Sequence, residues 1–329
     1  MPEIAPPPEP SLVHPVPGTA TSFAPASVSN LACGFDVLGF AVEGLGDRVT
    51  ASLREAPGVE IEEIHGDGGR LPRDAALNTA GVAARRLLEL AGIEDRGVTL
   101  RLDKGLPLGS GLGSSAASAV AGAHAAAAAL GLDADRELLL RCALAGEQIA
   151  CNAAHPDNAA PCLWGGLVLA RSVDPLDLVS LPVPSGLACA LVRPHVEVAT
   201  RSARAALGDG VKLVAAVRQW ANLGAFVHAL HTGDLELLGR SLEDHVAEPL
   251  RAPLVPGFGA ACAAARGAGA LGASLSGSGP TIFALCADRP TAERVADAMF
   301  EALAALEITA DRMVTAVDAP GVRTVDDPG

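Results

Sequence analysis

The sequence has no tyrosine and few other aromatic residues, which together make up 3% of its 329 residues. Because half of the residues are nonetheless hydrophobic, alanine and small aliphatic side chains must fill the core, and we expect closely packed helices. The chain is long enough for two moderate domains or one large one. No run of eighteen apolar residues is free of charged or turn residues, so no membrane partner is expected.

Basic residues are in deficit, and the formal net charge is −14. A surface that binds a phosphate backbone needs a surplus of lysine and arginine, so the charge argues against nucleic acid as a partner. It does not argue against a nucleotide, since a few local N–H groups, a cation and a metal ion are enough to bind one.

The seven cysteines form no C-x-x-C pair and are odd in number, so neither a disulfide framework nor a zinc site is indicated. Scattered single cysteines are typical of small buried residues in a reducing compartment, which predicts a cytoplasmic protein.

A glycine-rich stretch at residues 107–116, PLGSGLGSSA, joins a strand-like run ending at Asp103 to a helix that begins near Ser114. This order brings backbone N–H groups and the positive end of a helix dipole to one point, which suits a phosphate. A tight structural turn is the alternative. Three glycines, a preceding proline, two serines and a small-residue helix start together favour phosphate binding.

Two common phosphate loops do not fit this stretch. A P-loop requires a lysine after its last glycine, and none follows Gly113. A dinucleotide fingerprint starting at Gly109 would need a small residue at Ser114 and an acidic residue near Asp133, but the βαβ alternation around it is missing. The dinucleotide interpretation therefore remains a minority one.

The order of predicted elements divides the chain in two. Short β-like runs at 18–65 predict a mainly antiparallel sheet, followed by helices at 75–91, 114–130 and about 135–151. The segment after the third helix, AHPDNAAPCLWGG, is predicted to break helical periodicity. Beyond residue 175 the order is β, helices, β, β, α, β, which is typical of a ferredoxin-like α/β sandwich.

We therefore predict an α+β protein with two domains and a cleft between them. The predicted units are a flexible, proline-rich lead at 1–16, an N-terminal domain at 17–175 and a C-terminal domain at 176–329. In the second unit a helix at 211–230 is predicted to have one apolar face, with Leu213, Val217, Trp220, Leu223 and Val227.

Glu147 stands out among the charged residues because its helix neighbours are small and apolar. A carboxylate in such a setting is unfavourable unless it is paired or bound to a cation, so Glu147 is a candidate metal ligand. An exposed helix glutamate is the alternative.

The string PLGSGLGSSA resembles the phosphate-loop motif of the GHMP small-molecule kinases throughout its length. The resemblance implies the two-domain GHMP kinase fold, with ATP as phosphate donor and Mg²⁺ held by Ser115 and Glu147. It also implies that Asn78 lies beside the nucleotide base. The residues implied to surround the ATP phosphates are Pro107, Leu108, Gly109, Ser110, Gly111, Leu112, Gly113, Ser114 and Ser115.

Asp157 and Asn158 lie in the predicted helix breaker. By resemblance to mevalonate-kinase-like members of the family, Asp157 would take the proton of the substrate hydroxyl. In the alternative, Asn158 only orients the hydroxyl and the γ-phosphate accepts the proton. An Asx turn that shapes the loop is the structural alternative.

The N-terminal segment SVSNLACGFDVLGFAVEG resembles the start of the homoserine kinases within this family, with departures at Val28, Ser29, Ala32 and Cys33. The resemblance implies that Asn30 and Asp36 hold the ammonium and hydroxyl groups of an amino acid. An ammonium favours a desolvated carboxylate such as that of Asp36.

Three further segments match the same group: TRSAR, EPLRAPLVPG and GASLSGSGPTIFAL. They imply that arginine side chains bind the substrate carboxylate and that a glycine turn approaches the substrate closely. The residues so implied are Thr200, Arg204, Arg251, Gly277 and Ser278, with Arg204 also expected in the catalytic set.

The resemblance covers residues 20 to about 318 and implies transfer of the ATP γ-phosphate to the side-chain hydroxyl of L-homoserine, in threonine biosynthesis. A homodimer is expected from the family. Two alternatives stay open: a GHMP kinase for mevalonate or a sugar, which would leave Asp36 and the two arginines without a role, and a non-catalytic nucleotide-binding protein, which should lack the metal-binding glutamate.

Overall fold

A computed structural model describes residues 18–151, 156–198, 200–208 and 210–327. The predicted proline-rich lead at 1–16 lies outside the described residues. The strands are β1 (Thr19–Ser29), β2 (Leu38–Arg54), β3 (Gly58–His65), β4 (Gly97–Asp103), β5 (Leu167–Val173), β6 (Leu176–Leu181), β7 (Ala188–Pro194), β8 (Gly272–Leu275), β9 (Ile282–Cys286), β10 (Ala310–Ala316) and β11 (Arg323–Val325).

The helices alternate irregularly with these strands, and a short 3-10 turn (Ala252–Leu254) follows the eighth helix. They are α1 (Thr79–Leu90), α2 (Ser114–Leu130), α3 (Arg136–Cys151), α4 (Pro156–Trp164), α5 (Thr200–Ala205), α6 (Leu213–Thr232), α7 (Leu235–Ser241), α8 (Glu248–Arg251), α9 (Phe258–Gly267) and α10 (Arg289–Ala304). None of the helices in this part of the chain has the length and apolarity needed to cross a bilayer.

The first sheet has seven strands built around β2, in the order β11-β1-β2-β4-β3, with β5 pairing with β2 and β6 with β5. All of its pairings are antiparallel except that of β3 with β4, which confirms the predicted mainly antiparallel sheet. The short β-like runs predicted at 18–65 include one long strand, β2, which is 17 residues long. The sheet is unlike the parallel sheet of a dinucleotide-binding fold.

Helix α2 lies at the centre of the first unit, where it packs on β1 and β2 and between α1 and α3. Most of its residues are alanine or glycine and are buried on every side of the helix. The small side chains allow the surrounding helices and strands to approach α2 closely. The helix begins directly after the predicted phosphate loop, so the core fixes the position of that loop.

The second sheet has four antiparallel strands in the order β10-β7-β9-β8. Numbered within this half, the order is 4-1-3-2, and α9 and α10 pack against the sheet. This is the ferredoxin-like arrangement that the order of elements predicted. The helices α5 to α8 are inserted between its first strand and α9.

The strand pairing places β6 and β11 in the first sheet, although both follow residue 175 in the chain. The chain therefore returns to the first sheet at its end. The division at residue 175 stays a prediction.

One local prediction was wrong. The segment predicted to break helical periodicity forms α4 from Pro156 onward. Proline is tolerated at the first position of a helix because the N–H group it lacks has no partner there, and Asp157 in the first turn is favoured by the helix dipole.

The apolar face predicted for α6 is buried only in part. Leu213, Val217 and Trp220 are 71%, 51% and 62% exposed, whereas Leu223 and Val227 pack against the core. The helix is 20 residues long and contacts α7 and β6, so its N-terminal turns extend beyond the surface that could cover them.

Candidate active site

A cavity of about 350 Å³ is lined by residues from both halves of the chain, and nearly every site residue predicted from the sequence lines it. The predicted residues that line it are Asn30, Asp36, Asn78, Leu108, Gly109, Ser110, Gly111, Gly113, Ser114, Ser115, Glu147, Asp157, Asn158, Arg204, Arg251, Gly277 and Ser278. Pro107 and Leu112 do not line the cavity. Thr200 begins α5, but its side chain lies outside what the structure describes.

The predicted phosphate loop requires its glycines. Gly109, Gly111 and Gly113 all have φ between 64° and 76°, a conformation that residues with a side chain rarely adopt. A Cβ atom on Gly111 would lie 2.6 Å from the carbonyl oxygens of Ser276 and Gly279, and one on Gly113 would lie 2.2 Å from Ser27 Oγ. Gly111 and Gly113 are therefore required by close contacts with neighbouring residues as well as by their backbone conformation.

The loop ends at the N-terminus of α2, whose N-cap residue is Gly113 and which has no side-chain cap hydrogen bond. The first N–H groups of a helix have no partner within the helix, and here no capping side chain accepts from them. Together with the helix dipole they form a site for an anion.

A turn from the second half of the chain holds the loop in place. Ser276 Oγ donates to the Gly111 carbonyl at 2.6 Å, and Thr281 Oγ1 donates to the Ser110 carbonyl at 2.7 Å. Gly277 N donates to the Ser29 carbonyl at 3.1 Å. The glycine turn predicted to approach a ligand thus also joins the two halves of the cavity.

A buried ion pair that was not predicted from the sequence lies beneath the loop, between Lys104 and Asp47. Their side chains are 2% and 1% exposed. Lys104 Nζ also donates to Ser114 Oγ at 2.8 Å and to Ser118 Oγ at 2.7 Å, while Asp47 accepts from the backbone of residues 105 and 106. The lysine therefore places a positive charge at the first turn of α2.

The signal that could have revealed Lys104 is its place three residues before Pro107. A P-loop places its lysine after the glycines, so the P-loop motif does not reveal a lysine that precedes them. In this fold the cation precedes the loop and reaches α2 from the end of β4. Its partner, Asp47, lies far away in the sequence and carries no local signal.

Glu147 is 3% exposed, and its Oε1 atom has no hydrogen-bond partner among the described residues. Burial raises the pKa of Glu147 to about 7, although the Ser115 hydroxyl and the Lys104 charge act in the opposite direction. A buried carboxylate with an unsatisfied oxygen beside a serine hydroxyl fits a cation. The residues present therefore suit the predicted Mg²⁺ site.

Asp157 and Asn158 both face the cavity from the first turn of α4. Asp157 is 3% exposed with Oδ1 unpartnered among the described residues, and Asn158 Oδ1 accepts from Ser27 Oγ at 2.9 Å. Burial raises the pKa of Asp157 to about 7, and the negative charge of Asp36 adds to the effect. A carboxylate with a pKa near neutrality is suited to accept a proton.

The segment after β1 has an unusual backbone. Asn30, Leu31, Ala32 and Asp36 have positive φ values of 72°, 45°, 57° and 60°. Ala32, which departs from the family pattern, thus keeps the left-handed conformation that a glycine would adopt readily. Non-glycine residues in this region are strained, and such strain is concentrated at functional sites.

Asn30 ties this segment to the glycine turn. Its Oδ1 accepts from Asp36 N at 3.1 Å, and its Nδ2 donates to the Gly277 carbonyl at 2.9 Å. Asn30 therefore shapes the site, and its predicted contact with a substrate stays a prediction.

Asp36 and the two predicted arginines converge from three parts of the chain. Arg204 Nη1 lies 2.5 Å from Asp36 Oδ2, and Arg251 Nη1 donates to the Gly277 carbonyl at 3.0 Å. The carboxylate and the guanidinium groups are the complementary partners of an ammonium and a carboxylate group. The charged groups of a zwitterion can thus replace the contact between Asp36 and Arg204, the ammonium group binding Asp36 and the carboxylate binding Arg204.

Asn78 is the N-cap residue of α1, where Oδ1 accepts from Ala80 N at 3.1 Å and Nδ2 donates to the Pro72 carbonyl at 3.0 Å. Its side chain is thus used within the fold, although the residue lines the cavity. Contact with a nucleotide base stays a prediction.

Comparison with protein families matches the chain to two models, the GHMP kinases N terminal domain at residues 78–166 and the GHMP kinases C terminal domain at residues 226–305. The first match contains the phosphate loop and Glu147, and the second contains Arg251 and the glycine turn.

Among curated proteins, the homoserine kinase of Chlorobium phaeobacteroides strain BS1 is 46% identical over 93% of this chain and 99% of its own length. That of Chloroherpeton thalassium is 50% identical over 85% of this chain and 91% of its own length. Among solved structures, the homoserine kinase from Cytophaga hutchinsonii superposes with a TM-score of 0.90 at 49% identity, covering 94% of this chain and 98% of that one.

The raised pKa of Asp157 predicts how pH affects the stability of the ligand-free protein. Between about pH 4 and pH 7 the folded state holds the proton and the unfolded state does not, so the free energy of unfolding due to this group falls as pH rises through this range. At about 1.4 kcal/mol per pKa unit, the loss is at most about 4 kcal/mol.

Asp157→Asn removes the titrating carboxyl group and with it this pH-dependent contribution to stability. In urea denaturation without nucleotide or magnesium, the stability of the variant relative to the unsubstituted protein should therefore increase from pH 5 to pH 8. Glu94→Gln, at an exposed position, is the matched control and should show no such trend. A stability difference for Asp157→Asn that is constant across this pH range would contradict the prediction.

Proposed function

The chain belongs to the GHMP kinase family and, within it, to the homoserine kinases, and from this premise we propose how its cavity transfers the γ-phosphate of ATP to the side-chain hydroxyl of L-homoserine. The products are ADP and O-phospho-L-homoserine, in threonine biosynthesis. The observation that supports the proposal is the convergence of a phosphate site and an amino-acid site in one cavity.

The phosphate half consists of residues 107–115 and the first turn of α2. Backbone N–H groups of the loop, together with the helix dipole, would bind the phosphates of ATP. Lys104, paired with Asp47, lies beneath the loop and donates to Ser114 Oγ in the first turn of α2, where the P-loop lysine is missing from the motif. Phosphoryl transfer requires mainly positioning and charge neutralisation, and these groups supply both.

Mg²⁺ is proposed to be held by Glu147 and Ser115. When bound, the ion would neutralise charge on the ATP phosphates. Magnesium is commonly bound by one or two protein ligands together with substrate phosphates, so two ligands are sufficient. The unsatisfied Oε1 atom of Glu147 supports this assignment.

The amino-acid half consists of Asp36, Arg204 and Arg251, with the glycine turn as its floor. We propose that Asp36 binds the ammonium group and that the two arginines bind the carboxylate, with Thr200 and Ser278 at the same subsite. This set distinguishes an amino acid from mevalonate or a sugar, which carry no ammonium group.

The side-chain hydroxyl would then face Asp157 and Asn158. The unpartnered oxygen and raised pKa of Asp157 favour this residue as the proton acceptor. The Asn158 Oδ1 atom is engaged by Ser27, which leaves its amide N–H groups as donors to orient the hydroxyl. Both roles are compatible in a single step.

A cytoplasmic location is proposed from the cysteines, since the six whose side chains are described are buried and unpaired. Assembly as a homodimer is proposed from the family alone.

An ADP-release assay with homoserine, mevalonate and galactose tests the function directly. We expect turnover with ATP and homoserine, and none above background with the other two acceptors. Turnover with mevalonate or galactose alone would favour another GHMP kinase activity. Nucleotide binding without turnover of any acceptor would favour a non-catalytic protein.

Arg204→Ala should raise the KM for homoserine strongly, by about 10- to 100-fold, because a charge-assisted contact with the carboxylate is lost. The KM for ATP should change little. Arg240→Ala, at an exposed position on α7, is the control. Unchanged homoserine kinetics in Arg204→Ala would contradict the substrate assignment.

The pH profile of kcat/KM distinguishes the roles of Asp157 and Asn158. If Asp157 accepts the proton, kcat/KM should fall below about pH 7, and Asp157→Asn should lose at least about 100-fold activity together with this acidic limb. Asn158→Ala should lower kcat while keeping the limb. If Asp157→Asn keeps both activity and limb, Asp157 is not the base.

A further inference from the structure

The ring of Phe35 lies beside both substrate arginines. Its centroid is 5.5 Å from the Arg204 guanidinium carbon and 5.2 Å from that of Arg251. Both distances fall within the range of a cation–π interaction. Phe35 immediately precedes Asp36, so the ring and the carboxylate leave adjacent positions of the same strained segment.

Two guanidinium groups near one ring repel each other. The pKa of Arg251 is lowered by burial and by the positive charge of Arg204, while Asp36 acts in the opposite direction. Asp36 is within hydrogen-bond distance of Arg204. Arg251 is held by carbonyl oxygens, at 3.0 Å from that of Gly277 and at 3.4 Å from that of Ala203. The Phe35 ring is an uncharged group close to both cations and can stabilise them together.

A second cavity of about 450 Å³ borders this ring. Phe35 and Arg204 belong to its lining, together with Leu207, Lys212, His245 and Leu250. Arg204 is thus a wall of both cavities, and its side chain is 42% exposed. There is space behind Arg204 into which it can turn away from the substrate, and the Phe35 ring borders that space.

We propose that Phe35 is a positioning residue that holds Arg204 and Arg251 side by side and so sets the specificity for an α-amino acid carboxylate. The inference rests on the proposed function, because it concerns the carboxylate subsite of that reaction. The electron-rich face of the ring attracts both cations and offsets their mutual repulsion. It also borders the second cavity and so opposes rotation of Arg204 away from the substrate into that cavity.

This role predicts a defect confined to the carboxylate. Phe35→Leu keeps an apolar side chain but removes the π face. Its KM for homoserine should rise about 10-fold, as expected for the loss of two partly desolvated cation–π contacts. Its kcat should stay within about 2-fold, since the phosphate loop and Asp157 are not touched, and its affinity for ADP should be unchanged.

The substrate analogue 3-aminopropan-1-ol provides the matched probe, because it keeps the ammonium and hydroxyl groups of homoserine and lacks only the carboxylate. The kcat/KM of Phe35→Leu for this analogue should equal that of the unsubstituted enzyme. The preference for homoserine over the analogue should therefore shrink about 10-fold. A general disruption of the Asp36 segment would instead reduce kcat/KM for both substrates alike.

Phe35→Tyr is the conservative variant, since it retains the aromatic face, and it should restore the homoserine KM to within about 3-fold of the original. If Phe35→Leu does not fold, Phe35→Met provides the same comparison. The proposal is overturned if Phe35→Leu or Phe35→Met leaves the KM for homoserine unchanged, or if Phe35→Tyr is as defective as Phe35→Leu. It is also overturned if kcat/KM falls as much for the analogue as for homoserine. Absence of homoserine turnover in the unsubstituted enzyme would instead refute the proposed function.

Discussion

The carbonyl group of Gly277 is the junction on which the whole site depends. It accepts hydrogen bonds from Asn30 Nδ2 and Arg251 Nη1, while the N–H group of the same residue donates to Ser29. These bonds join the strained segment after β1 to the arginine of α8. The adjoining Ser276 and Thr281 bind the phosphate loop. One glycine turn therefore joins the proposed phosphate half of the cavity to the proposed amino-acid half.

Around this junction the fold gathers more charge than a core would normally tolerate. Glu147 and Asp157 are buried, each with one oxygen that has no hydrogen-bond partner among the described residues, and Arg251 is 5% exposed. Burial disfavours the charged forms of the two carboxylates, and their pKa values are raised for this reason. Buried charge of this kind is unfavourable unless it is compensated, and groups with perturbed pKa values are concentrated at functional sites.

Features of the site that depend on neighbouring residues could be predicted from the sequence, and those that depend on contacts between distant residues could not. The phosphate loop was predictable because left-handed glycines and a helix start are local features with a local pattern. Helix α4 was not, because the prolines and Asx residues that usually end helices can also begin one. The exposed half of the α6 stripe shows the same limit, since periodicity reveals an apolar face but not whether another element covers it.

By itself the sequence determined the glycine loop, the two-part α+β organisation and the identity of the residues with unusual chemistry, because motif and periodicity act through neighbouring residues. Only the tertiary structure decided that Lys104 lies beneath α2 on Asp47, that Asp36 pairs with Arg204, and that Phe35 borders two arginines. These contacts join residues from 10 to 216 positions apart (Lys104 to Ser114, and Phe35 to Arg251). The physical reason is that burial and charge depend on which distant surfaces meet, and no local pattern encodes that.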